Sequence, residues 1–529
     1  MSIVFAITVI CLAFKLWYGH STPGLAGTRL LTGTCIVLSL FGAVFAAHVA
    51  TPCSGKDAVF LWTRRTIFAV ALAMLGVWYL ALYPGVIIGT DTSIMLSSVI
   101  GKDGYSPFSA FWNSFFGGLY ALTGSLEIIP VFNMLLCAWT IANLLALTAS
   151  MGIDRYLIAL VVFLLFFFPI LPGSTLLWSH DTTAALLRLA LVSYVIWLCR
   201  ALGADGTRAT WAPACIVSIL IAACALIRSE NLLLVVLVPI VLLYYRVFSG
   251  PTVAACIVAS VLAIALFSGG VERRLYANES KINYSLSLLA NPARYFYNND
   301  FVSDTRSADL ALLEEVFERD WLRGVRFPYQ PYHTKGMVFK AIDDATMRSL
   351  KKTLVSIARQ NPALVLQNRG IIAWTLFSGS PGADYHSLNA SFGMDEHVKS
   401  MYLNPNQAAI YDELTRDAER RPKGLYSVAQ RIQTYFDPRR ASRPMLAVLV
   451  WTLIPALVWM CIALAGVRRR RLAALAPLLL LPCVAAVVVT APAAHFKYVA
   501  DLYVMGWFLP LLLFAERFPQ QRTEAGSIP

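Results

Sequence analysis

Charge is scarce in this sequence. Only 14% of its 529 residues are charged, against about 25% in a soluble globular protein. Paired metal-binding cysteines are missing too: none of the ten cysteines forms a CxxC pair, and none falls in the one long polar block. That excludes a disulfide framework for the block and gives no cysteine metal site. No basic stripe with interleaved aromatics occurs, so the net charge of +13 does not point to nucleic acid. The apolar stretch from Ser2 to Trp17 has no basic residues before it and no small-x-small cleavage site after it. It therefore reads as a first span rather than a cleaved signal. No internal repeat and no low-complexity segment stands out.

What is abundant is apolar sequence. Hydrophobic residues make up 58% of the chain and the mean hydropathy is +0.64. They come in blocks of the length that crosses a bilayer, about 20 residues. Spans are expected near 3–17, 28–50, 66–88, 128–150, 157–173, 183–199, 211–227, 229–245, 252–270, 444–466, 472–492 and 498–515. The aromatic, glycine-containing stretch 107–123 reads as a re-entrant or interfacial helix. The expected fold is an all-α polytopic membrane protein with about twelve transmembrane helices and a small, mostly helical extracytoplasmic domain.

Orientation follows from the four arginines Arg468 to Arg471, which should stay cytoplasmic. Counting spans outward from them puts Lys56, Arg64, Arg65, Arg155, Arg200, Arg208, Arg246, Arg517 and Arg522 on the same side. Residues 1–270 then form an N-terminal transmembrane module with an outer loop at 89–127, and 271–443 an extracytoplasmic domain. Residues 444–515 supply the last spans and 516–529 a cytoplasmic tail. The 271–443 block carries about two-thirds of the 30 acidic residues, and it is too long for a plain connector. Helical apolar spacing marks 307–321 and 341–360, and 363–378 reads as a helix lying on the membrane surface.

Four polar clusters fall on the outer side. The first follows Tyr83-Pro84-Gly85, where Pro and Gly break a span before Asp91; Asp103 and Tyr105 come next. Asp91 is either the N-cap of a following helix or a carboxylate kept at membrane depth for function. The second is Trp178-Ser179-His180-Asp181, either a polar turn with Asp181 as a cap or a pair suited to proton transfer. In the third, Arg228 either pairs with Glu230 or faces an anion, for which a guanidinium fork is well shaped. The fourth is His495-Phe496-Lys497-Tyr498, followed by Asp501. Its lysine either snorkels to the interface or serves a site.

This arrangement resembles the C-type glycosyltransferase (GT-C) superfamily, multi-span enzymes that take a sugar from a polyprenyl-phosphate lipid. Asp91 in PGVIIGTD occupies the place of the family's acid in the first large outer loop. HFKY at 495–498 resembles a basic-Tyr motif opening a late span, and Arg228-Ser229-Glu230 an Arg-acid motif opening a mid-chain span. The pattern YPG…D…G…SP…FW is similar to members that glycosylate bacterial envelope components or pilins. Two features differ: two spans precede the one leading to Asp91, and threonines rather than a second acid flank it.

The resemblance implies transfer with inversion at the anomeric carbon, on the periplasmic face of the bacterial inner membrane. Asp91 would be the catalytic base. Arg228 and Lys497, with His495 in support, would stabilise the donor phosphate. Asp103, His180, Asp181, Glu230 and Tyr498 would bind sugar or acceptor. The partners implied are a polyprenyl-phosphate-linked sugar, membrane lipids, and an envelope glycan, lipid or protein acceptor. No nucleotide-sugar domain is visible, no cofactor is called for, and a divalent metal has no support in the sequence. The rival readings are a lipid-linked polysaccharide flippase or transporter, and an O-antigen polymerase or ligase.

Overall fold

The computed structural model describes residues 57–83, 85, 89–100, 109–123, 126–203, 209, 211–272, 278–323, 342–378, 403–419, 422–436, 453–469, 471–490 and 498–517. Asp103, His495, Lys497 and the first two expected spans lie outside the described residues. Among the described residues every regular element is a helix.

The bundle begins with α1 (Asp57–Leu82), α2 (Gly89–Val99), α3 (Ala110–Thr123), α4 (Ile128–Ser150), α5 (Arg155–Phe167), α6 (Ile170–Thr175), α7 (His180–Gly203) and α8 (Trp211–Ile227). A 3-10 turn at Ser229–Leu233 leads into α9 (Leu234–Tyr244), and α10 (Gly250–Leu266) continues as a π turn at Phe267–Glu272. The polar block holds α11 (Asn278–Tyr297), α12 (Arg306–Val316), α13 (Arg319–Arg323), α14 (Asp344–Gln360), α15 (Pro362–Ser378), α16 (Pro405–Glu419) and α17 (Lys423–Tyr435). The last described helices are α18 (Leu453–Leu464), α19 (Leu475–Thr490) and α20 (Ala500–Arg517).

Among the described residues, five helical stretches are long and apolar enough to cross a membrane: Phe60–Leu82, Ile128–Ser150, His180–Leu202, Gly250–Glu272 and Leu472–Thr490. Several present large apolar side chains outward, such as Trp62 and Leu80 on α1 and Val258, Leu262 and Leu266 on α10. An outward apolar band of this length needs a hydrocarbon solvent. Arg155–Phe167, Trp211–Ile227, Ser229–Tyr244 and Leu453–Leu464 are apolar but shorter.

The expected spans 66–88 and 157–173 differ locally from the structure: the first helix runs Asp57–Leu82, and the second run is interrupted. The apolar run 157–173 is broken, because Phe168 is extended (ψ 136°) before Pro169. A proline disfavours the helical region for the residue before it, so α5 ends and α6 starts afresh. Helix α3 has 14 residues, about 21 Å at 1.5 Å per residue, and cannot cross a 30 Å core. Its first ten residues are all buried, so it is an internal helix rather than a surface one.

The polar block is divided between two cores. Leu286, Phe296, Leu313, Phe317, Leu350 and Ile357 belong to a small core of their own. Inside it the Arg294 guanidinium stacks 3.8 Å from the Trp321 ring and donates to the Trp321 carbonyl. Burial pushes that guanidinium down to about 10. Ile372, Leu376, Ile410, Leu414 and Ala429 instead join the core of the apolar bundle. Helix α15 joins the two, with Asn368 bonded to Asn291 of α11 (3.2 Å) and Ile372 buried in the bundle. It connects the two cores through one face, while Leu366 and Trp374 are exposed on the other.

The bundle has two chemically distinct ends. At one, Tyr244 and Tyr245 at the close of α9 donate to the carbonyls of Val467 and Arg471. Glu516 near the end of α20 accepts the amides of Leu472 and Ala473. Arg471 and Arg517 therefore meet at this basic end. At the other, Thr490 at the close of α19 donates to Glu230, and Arg228 lies over the Tyr498 ring just before α20.

Candidate functional site

The second and third clusters, Tyr498 of the fourth, and the segment leading into the first meet at the end away from the basic loop. The span α1 stops at Tyr83, whose hydroxyl donates to Glu127 (2.5 Å). Gly85 follows with φ +140°, a conformation that only glycine adopts at low cost. A Cβ there would lie 2.1 Å from Nε1 of Trp178. Gly85 thus seats the chain against the indole of the second cluster. The next helix is held to the same residue: Thr92 Oγ1 donates to the Trp178 carbonyl (3.4 Å). Asp91 falls in the first turn of α2, while its side chain lies outside the described residues. Gly85→Ala is expected to cut the yield of folded protein severalfold and lower the thermal midpoint, measured by size-exclusion chromatography of heated detergent extracts. Gly76→Ala on α1, where a Cβ meets nothing within 4 Å, is expected to be neutral or slightly stabilising.

The second cluster opens α7. Ser179, not Asp181, is its cap, because Ser179 Oγ accepts the Asp181 amide (3.2 Å). This corrects the reading of Asp181 as the capping residue and leaves its carboxylate for other partners. Asp181 is 2% exposed. It pairs with Arg228, accepts from Ser179 (3.4 Å) and lies 3.2 Å from His180 Nε2. Arg228 also pairs with Glu230, through Nη2 and through Nε at 3.2 Å. Its guanidinium carbon sits 4.6 Å from the centre of the Tyr498 ring, a cation–π distance. His180, Asp181, Arg228, Glu230 and Tyr498, brought from three separate segments, therefore form one buried cluster.

A second ionic centre lies deeper, and sequence reading missed it. Arg188 is 1% exposed. Its Nε and Nη2 donate to the two Asp501 carboxylate oxygens (2.8 and 3.2 Å), Nη2 also to the Tyr498 carbonyl (2.8 Å), and Nη1 to Asn231 (3.3 Å). Such a bidentate fork is a strong form of ion pair. The two centres are stacked by helix geometry. Residues 181 and 188 on α7 are seven apart and so share a face about 10 Å apart in depth. Residues 228 and 231, and 498 and 501, are each three apart. Tyr498 joins the centres, its ring above and its carbonyl below. The available signal was a lone arginine inside an apolar span, which is costly and so demands a partner.

A neutral polar chain flanks the cluster. Trp112 Nε1 of α3 donates to Thr183 (3.1 Å), and Thr183 donates to Asn133 of α4 (3.0 Å). Among the described residues no group of three or more His, Cys, Asp or Glu side chains is arranged to hold a metal ion.

The arrangement offers a carboxylate and an imidazole in contact, a guanidinium beside an aromatic ring, and hydroxyls and amides nearby, all at one end of an apolar bundle. Arg228 is engaged by two carboxylates, so an incoming anion would have to displace one of them. Compared with known proteins, the chain matches no family model, no curated protein and no solved structure.

Proposed function

We propose that the protein is a membrane glycosyltransferase that moves a sugar from a polyprenyl-phosphate donor to an envelope glycan, lipid or protein. The supporting observation is the buried Asp181–Arg228–Tyr498 cluster, which gathers polar residues from distant segments at the bundle end opposite the arginine loop. In this reading the chain has about twelve spans in a GT-C-like arrangement, and the cluster faces the periplasm across a bacterial inner membrane. The donor's lipid tail lies in the bilayer with its phosphate at the cluster. The acceptor oxygen attacks the anomeric carbon from the side opposite the phosphate, giving inversion. Its proton passes to the base, Asp91. The carbon–oxygen bond to phosphate breaks, and the electron pair leaves with the phosphate. Arg228 and Lys497, with His495, stabilise that charge, Arg228 exchanging Glu230 for the phosphate. Asp103, His180, Asp181 and Tyr498 orient sugar and acceptor.

Two measurements test this. Purified protein in nanodiscs should release polyprenyl phosphate from a sugar-labelled donor when an envelope extract supplies acceptor. Single cysteines placed in intact cells at Val302, which is exposed, and at Arg469 should label only at Val302 from outside. Labelling of Arg469 alone would place the cluster in the cytoplasm and end the proposal. The Arg188–Asp501 pair, deeper in the bundle, favours the transporter reading, because transporters keep functional charges within the membrane. Movement of a lipid-linked saccharide across a vesicle membrane without sugar transfer would establish that rival.

A further inference from the structure

A cavity of about 740 Å³ opens at the basic end, between α18 and α20. Its polar side carries Arg469, Arg471 and Arg517, and its apolar side Trp459, Pro510 and Phe514. Hydrogen bonds tie the arginine loop at Gly466, Val467 and Arg471. Arg471 donates its amide to the Gly466 carbonyl (3.2 Å), and its side chain crosses Gly466, where a Cβ would meet it at 3.0 Å. Tyr244 and Tyr245 fasten the loop's carbonyls. Glu516, the nearby carboxylate, is taken up by two backbone amides. Three arginines therefore line the cavity, against one nearby carboxylate, Glu516, which interacts electrostatically with Arg471 and Arg200. Phe514, 57% exposed, and Ile462, 41% exposed, carry the apolar wall outward.

A pocket lined by three arginines on one side and by exposed apolar side chains on the other suits a phosphate joined to an acyl chain. We propose that this cavity binds an anionic phospholipid, with Arg469, Arg471 and Arg517 on the headgroup phosphate and the Trp459–Phe514 wall along an acyl chain. Basic pockets between spanning helices favour such headgroups, and guanidinium forks match phosphate oxygens. The site lies at the opposite end of α19 and α20 from Asp181 and Arg228. It does not depend on the reaction proposed above.

The test uses full-length protein, delipidated in a neutral detergent, with added phosphatidylglycerol, phosphatidylcholine or inorganic phosphate. Native mass spectrometry counts bound lipid, and the thermal midpoint reports stabilisation. Phosphatidylglycerol is expected to bind and raise the midpoint, while the other two do neither. Affinity should fall about fivefold for each arginine changed to glutamine, and on the order of a hundredfold for all three. The same three positions changed to lysine should keep most of it. Changing Arg65, Arg155 and Arg246 to glutamine, an equal loss of charge at other exposed places, should leave affinity unaltered. If the triple variant does not fold, Arg469→Gln and Arg517→Gln, both at exposed side chains, carry the test singly. Equal binding of phosphatidylcholine, equal protection by inorganic phosphate, or an equal loss in the Arg65/Arg155/Arg246 variant would overturn the assignment.

Discussion

Arg188→Met is expected to destabilise the folded protein by about 3–5 kcal/mol, the usual result of leaving one member of a buried ion pair alone. Asp501 is 1% exposed, and its carboxylate oxygens receive Arg188 Nε and Nη2. Without the guanidinium it keeps a buried negative charge. The Tyr498 carbonyl and Asn231 lose a donor in the same step. Removing both members should be far milder, because a well-packed apolar pair replaces a desolvated ionic one at little cost. Arg188→Met with Asp501→Leu is therefore expected to recover most of the lost thermal midpoint. Both proteins would be compared as heated detergent extracts on a sizing column. If the double variant were as unstable as the sum of the single changes, the pair would not be the interaction that holds α7 to α20. A stable Arg188→Met protein would show that Asp501 finds another partner.

Asp91→Asn is expected to lower sugar transfer about a hundredfold or more, as removal of a general base does, with little change in stability. Asparagine caps a helix about as well as aspartate, so a capping role would leave transfer near normal. The structure sharpens the comparison. Asp91 lies in the first turn of α2, and its neighbour Thr92 is tied to the Trp178 turn that precedes His180 and Asp181. Asp181 is committed to Arg228, which suits it to hold the guanidinium in place. Asp181→Asn should therefore impair use of the donor more than the proton transfer, raising the donor KM. The measurement is initial rate against donor concentration for both variants, with folded yield alongside. Normal transfer by a folded Asp91→Asn protein would pass the role of base to Asp181 or Asp103.

Much of the bundle was legible because apolar length is a one-dimensional property. Ile128–Ser150 and Trp211–Ile227 have the expected limits, since each is an unbroken apolar run. The polar residues at the ends of the runs were legible for the same reason: a charge beside a span stands out by contrast. The pairing of Arg188 was not, because its partner Asp501 lies 313 residues away and nothing local to either residue names the other. The division of the polar block was not legible either. Ile372 and Leu414 carry no local mark that they pack on the bundle rather than on Leu350 and Phe317.

Sequence by itself determined that this chain is helical, apolar enough for a membrane, and chemically unequal at the two ends of its spans. Those properties follow from hydropathy and from the sign of charge, which act residue by residue. Only the tertiary structure decided which polar groups meet. Ser179 rather than Asp181 caps α7, Arg228 lies between Asp181 and Glu230 against Tyr498, and Arg188 finds Asp501 more than three hundred residues away. The reason is the cost of burying charge. An arginine or aspartate inside an apolar bundle must be matched, but many matches satisfy that demand, and the packing of α7, α8, α19 and α20 selects one.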